Sequence, residues 1–149
     1  HACPNRPKSR GFVKIKSNDF NISPQIQFNY LQNQEDLIQM RESVKIVKNI
    51  CSQKSLLDYI DFEVRPGIDI KSNEELDEVI RNTAESAYHP SCTNKMGNDN
   101  FSVVDQKTKV HGIENLRVID ASIMPDIVSA NLNATVVMIA ERAADFLLD

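Results

Sequence analysis

The sequence is short of positive charge, long apolar runs, cysteine and glycine, and each shortage removes a class of function. Seventeen Lys and Arg stand against 21 Asp and Glu, a formal net charge of -4. A general nucleic-acid binder needs a basic stripe to neutralise phosphates, so no nucleic-acid partner is expected. No apolar run approaches the roughly 20 residues of a transmembrane helix. Three cysteines, Cys3, Cys51 and Cys92, are an odd and sparse set rather than a disulfide framework. They point to a reducing compartment. The cytoplasm is the expected location, with peripheral attachment to the inner membrane in the full-length protein as a second option. The four glycines, Gly11, Gly67, Gly97 and Gly112, never fall in a G-x-G-x-x-G pattern. No internal repeat or low-complexity stretch stands out. The chain begins at His1 without a signal-like apolar run, and a fragment or processed piece of a larger protein is expected.

What remains is ordinary globular material: 149 residues, 41% apolar and 26% charged, enough for a real core. Gly11 to Ser17 alternates, with Val13 and Ile15 on one face; Gln25 to Tyr30 alternates again through Ile26, Phe28 and Tyr30. Two such strands predict an antiparallel sheet. From Gln34 the period becomes helical, and Leu37, Met40, Val44, Val47 and Cys51 share a stripe. Ser72-Asn-Glu-Glu75 fits a capping box. The helix it opens turns Leu76, Val79, Ile80, Thr83 and Ala87 inward and is expected to stop near Tyr88, because Pro90 disfavours a helical His89. Val103–Asp105 and Lys109–His111 predict a small hairpin, and Leu116–Ile119 a short strand ended by Asp120. Asn133 or a close neighbour begins the last helix, apolar around much of its surface and so expected to be buried. The fold class is α+β: an antiparallel sheet with helices, then a closing strand and a C-terminal helix. Two domains are expected, residues 1–86 and 87–149.

Several residues carry candidate chemistry. His89 reads either as a partly buried histidine at a helix end or as a base. A hydroxyl is a poor hydride donor until its proton is removed, and an imidazole can take that proton near neutrality. Asn133 reads as an N-cap, as a donor to a substrate oxygen, or as both; Asn131 competes for the cap. The unpaired amides at the start of the last helix carry partial positive charge. The small side chains of Ala134 and Thr135 admit close approach of an anionic group there, or simply pack tightly. Asp120, at a strand end before a turn, is either a ligand contact or a cap of the turn. His89 and Cys92 form an H-x-x-C pair with no second pair, whereas structural zinc usually shows two, so no metal is expected. A thiol nucleophile at Cys92 has no supporting local pattern.

Three blocks carry a family resemblance: Ala87-Tyr-His-Pro-Ser-Cys-Thr-Asn-Lys-Met-Gly97, Asn115-Leu-Arg-Val-Ile-Asp-Ala-Ser-Ile-Met-Pro125 and Ser129-Ala-Asn-Leu-Asn-Ala-Thr135. They resemble the C-terminal region of the glucose–methanol–choline family of flavin-dependent alcohol oxidoreductases, and His89–Gly97 is most similar to its choline-oxidising branch. One departure is Asn94, where that branch carries cysteine; no effect on the chemistry is expected from it. The resemblance implies an FAD enzyme that oxidises a primary alcohol, choline to betaine aldehyde, by hydride transfer to flavin N5. It implies His89 as the catalytic base and Asn133 as its partner. Asp120 and Ala121 would contact the ribityl–phosphate region, and Ala134 and Thr135 would approach the isoalloxazine ring. Residues 1–86 would belong to the substrate-binding domain and 87–149 to the FAD-binding domain. The implied partners are a small-molecule alcohol and a missing N-terminal FAD-binding region, with the electron acceptor unspecified. Alone, the chain is expected to be inactive, to bind FAD weakly or not at all, and to self-associate through exposed apolar faces. The alternatives are a stand-alone non-enzymatic binding module and a family member with a different alcohol substrate.

Overall fold

The computed structural model describes residues 2–67 and 69–148. They fold as two compact units, His1–Ala87 and Tyr88–Asp149.

The first unit opens with two strands, β1 (Phe12–Lys14) and β2 (Gln25–Gln27), paired antiparallel with Val13 opposite Ile26. The expected alternating runs are longer than the strands that form. With only two strands to pair, both faces stay wet, and Val13, Ile15, Ile26 and Phe28 are exposed. Gly11 is obligatory beside β1, since a Cβ there would overlap the Gln27 carbonyl oxygen. Helix α1 spans Gln34–Cys51, capped by the Asn33 side chain, which accepts from Glu35 N. A short helix, α2 (Lys54–Leu57), follows, and then α3 (Asn73–Thr83). The expected capping box is present: Ser72 accepts from Glu75 N, and the Glu75 carboxylate accepts from Ser72 N.

Helices α1 and α3 pack through Leu37, Leu76 and Ile80, ringed by Leu31, Met40, Val44 and Ile70. A two-pronged ion pair fastens the same helices, Arg41 Nε to Asp77 Oδ1 at 2.9 Å and Nη2 to Oδ2 at 3.2 Å. Two expectations need correction. The α1 stripe buries only its N-terminal half, because α3 covers no more; Val47 and Cys51 are exposed. Helix α3 ends at Thr83, well before Tyr88. The Thr83 hydroxyl donates back to the Val79 carbonyl at 2.7 Å, Ala84 turns extended, and Pro90 lies too far on to set the end.

The second unit is held by single bridges rather than full strands. Met96 pairs with Val104, Val104 with Val110, and Lys109 with Arg117. The expected hairpin and the expected strand at Leu116–Ile119 are therefore present only as bridges. Left-handed residues at Thr108 (φ 65) and Asn115 (φ 59) interrupt the extended runs. Val104 sits at the centre of these bridges, fully buried. A 3-10 turn, Ala121–Ile123, packs against helix α4, Leu132–Leu148. The burial expected for α4 is limited to one face: Leu132 and Ala143 are buried, while Val137, Met138, Leu147 and Leu148 are exposed. The cover it meets is the turn and nearby loops, which is too narrow for a helix apolar around most of its girth.

Candidate functional site

All of the sequence-predicted site residues fall in the second unit. His89 lies in an irregular stretch between Tyr88, held at φ 60, and Pro90. A left-handed tyrosine is an uncommon backbone state that surrounding structure must hold. It turns the chain sharply just before His89, and His89 is exposed. Beyond it the chain is fastened at alternate residues to the 3-10 turn. Cys92 N donates to Ala121 O (3.2 Å), Asn94 N to Ser122 O (2.9 Å) and Met96 N to Ile123 O (2.8 Å).

Asp120 stands at the head of that turn. Its Oδ1 accepts from Ser122 N at 2.7 Å and from Ser122 Oγ at 2.5 Å, so the capping reading of Asp120 holds. The carboxylate is nonetheless exposed, and Ala121 beside it is half-buried. Asn94 joins from the other segment, its Nδ2 donating to Ser122 Oγ at 3.0 Å.

The α4 bounds put Asn131 at the cap position and Asn133 inside the first turn, followed by Ala134 and Thr135. Asn133 and Ala134 are exposed and Thr135 is half-buried. No acidic side chain sits in this first turn. The turn that Asp120 caps packs against α4. Among the described residues, no hydrogen bond joins His89 to Asn133. The unit holds an apolar cavity of about 380 Å³ under α4, lined by Met96, Ile123, Met124, Thr135, Met138 and Ile139; His89 does not line it.

His89 and Cys92 bring no further ligand with them. Among the described residues no group of three His, Cys, Asp or Glu could hold a metal ion, and no helix is long and apolar enough to cross a membrane. The residues that sequence reasoning missed are Ser122 and Asn94. Asp120 and Ser122, two apart, carry the local signal of a side chain that caps its own turn. Asn94 lies 28 residues from Ser122 and offers no such signal.

Residues 7–140 match the GMC oxidoreductase family in its C-terminal domain, and the chain belongs to that family. Among its relatives is the oxygen-dependent choline dehydrogenase of Yersinia pseudotuberculosis, 48% identical over 145 residues, which are 97% of this chain and 26% of that protein. Pyridoxine 4-oxidase from Mesorbium loti shares the fold at a TM-score of 0.89 and 32% identity, over 95% of this chain and 28% of that one. An FAD-dependent oxidoreductase from Chaetomium thermophilum matches at a TM-score of 0.88 and 30% identity, over 95% and 25%. The chain therefore spans about a quarter of the length of the proteins it matches, and its α+β fold is the one these oxidoreductases share.

Proposed function

We propose that this chain is the C-terminal segment of an FAD-dependent alcohol dehydrogenase that oxidises choline to betaine aldehyde. The observation that carries the reading is the ladder from residues 92–96 to the 3-10 turn, which ties the segment headed by His89 to the turn that Asp120 caps. The residues present suit a flavin. An exposed carboxylate at Asp120 accepts from hydroxyl groups. The first turn of α4, with no acidic side chain of its own and a methyl side chain at Ala134, suits an electron-rich ring edge. The loop that would cradle a pyrophosphate is not among these residues, so the remaining hold on the cofactor belongs to the rest of the polypeptide.

His89 takes the hydroxyl proton of the alcohol, and Asn133 donates its amide to the same oxygen and so orients it. Bound FAD supplies the acceptor, at N5, for the hydride that leaves the alcohol carbon. Ala134 and Thr135 would lie against the ring, with the free backbone N–H of Ala134 suited to an electron-rich edge and the small side chains admitting its approach. Similarity supports choline over other alcohols, at 48% identity to a choline dehydrogenase against 32% to a pyridoxine oxidase. Three unpaired cysteines suit a cytoplasmic setting.

The test is steady-state turnover by the full-length protein containing this chain, with choline and with other primary alcohols. His89→Ala should lower kcat by about a hundred- to ten-thousandfold while the flavin absorbance is retained. Unchanged turnover would remove His89 from the mechanism. A colourless full-length protein with no turnover would favour the binding-module reading, and preference for another alcohol would correct the substrate.

A further inference from the structure

We propose that Asn94 is a positioning residue that sets the Asp120 carboxylate for a hydroxyl on the polyol chain of bound FAD; this rests on the flavin contact read above at Asp120. The argument begins with proton count. Asp120 Oδ1 lies 2.5 Å from Ser122 Oγ, and an ionised carboxylate only accepts. The single hydroxyl proton of Ser122 is therefore spent on Asp120. Ser122 Oγ must then be the acceptor toward Asn94, which fixes the Asn94 amide with its NH2, not its oxygen, facing Ser122 at 3.0 Å. The bonds run one way, from amide to hydroxyl to carboxylate, and each donor strengthens the next.

The arrangement does more than fill space. Without a donor at Asn94 the Ser122 oxygen loses the partner that holds its rotamer from the side away from Asp120. With it, the hydroxyl has one favourable direction, and Asp120 is held through Oδ1 by both Ser122 N and Ser122 Oγ. Asn94 and Ser122 are half-buried and Asp120 is exposed, so the chain of bonds ends at the surface. Asn94 is itself fixed, because its backbone N donates to Ser122 O at 2.9 Å. Both Asp120 bonds fall on Oδ1, which leaves the acceptor capacity of Oδ2 for a ligand. A carboxylate repels phosphate and accepts from hydroxyls, so the contact is with the polyol rather than the phosphate.

The experiment is FAD titration of the full-length apoprotein, followed by flavin fluorescence, with melting of each apoprotein measured alongside. Asn94→Ala and Ser122→Ala should each weaken FAD about three- to tenfold, and Asp120→Ala about ten- to a hundredfold. Asn94→Asp, which keeps the shape but offers only acceptors, should weaken it as well and guards against a folding failure of Asn94→Ala. In the Asp120→Ala background the Asn94→Ala effect should vanish. If Asp120→Ala weakens FAD and neither Asn94 variant does, the Asn94 role is overturned while the flavin contact stands. An Asn94→Ala loss of equal size with or without Asp120 also overturns it, since Asn94 would then act through the fold. If Asp120→Ala leaves FAD binding unchanged, the contact and the positioning role fall together.

Discussion

Asp36 shows how one buried charge organises a loop. It is 1% exposed and accepts from Lys8 N (2.6 Å), Ser9 N (2.7 Å) and Ser9 Oγ (2.5 Å), and Ser9 Oγ in turn accepts from Asn33 N. The lead-in segment is thereby pinned to the head of α1, where a carboxylate is also favoured by the helix dipole. Burial pushes the Asp36 carboxyl up, but the Lys8 and Ser9 bonds and the nearby Arg10 charge outweigh it and hold it below its ordinary value. A carboxyl lowered in the folded state contributes stability that is fully present above the ordinary value of about 4. That contribution is lost as pH falls through the folded value. The contribution of Asp36 to the urea midpoint should therefore not vary with pH near neutrality and should drop on acidification below about pH 4. Asp36→Ala should cost about 2–3 kcal/mol at pH 7, because three donors lose their acceptor, and should flatten the acid limb of that profile.

At the scale of elements, what the sequence showed depended on how local the cause was. The α3 start follows from Ser72 and Glu75, three positions apart, and the box is present. Ser72→Ala should lower stability by about 1 kcal/mol, read as faster amide exchange in the first turn of α3 and little change in α1. The α1 start at Gln34 was legible from the change of period, and the α4 start from its asparagines, with Asn131 and Asn133 left as alternatives. The end of α3 was not, because the chain turns extended at Ala84, six residues before the proline on which the expectation rested. The bridges at Val104, Val110 and Arg117 depend on partners that periodicity does not encode. The candidate site divides likewise: His89, Asp120 and the small residues of α4 stand out by type and motif, whereas the link from Asn94 through Ser122 exists only once residues 28 apart meet.

For the whole molecule, the governing fact is that these residues span 26% of a choline dehydrogenase relative. Val137, Met138, Leu147 and Leu148 on α4 are 53%, 56%, 61% and 88% exposed, an apolar surface that water does not favour. The isolated 149-residue chain should therefore sediment with a concentration-dependent mass, and Met138→Lys with Leu147→Lys should reduce that dependence. It should stay colourless through gel filtration after incubation with FAD; flavin bands that travel with it would show that this piece holds the cofactor by itself. The ladder between residues 92–96 and the 3-10 turn has one more consequence, for how such sequences can change length. Three rungs at fixed strides admit no inserted residue on either side without breaking register. The exposed turns at 98–101 and 112–116 are closed at their base by single bonds, Ser102 N to Asp99 O and Val110 N to Leu116 O, with no ladder of successive rungs through them. Insertions and deletions among relatives should therefore collect in those turns, and the spacing from Cys92 to Met96 and from Asp120 to Ile123 should stay constant.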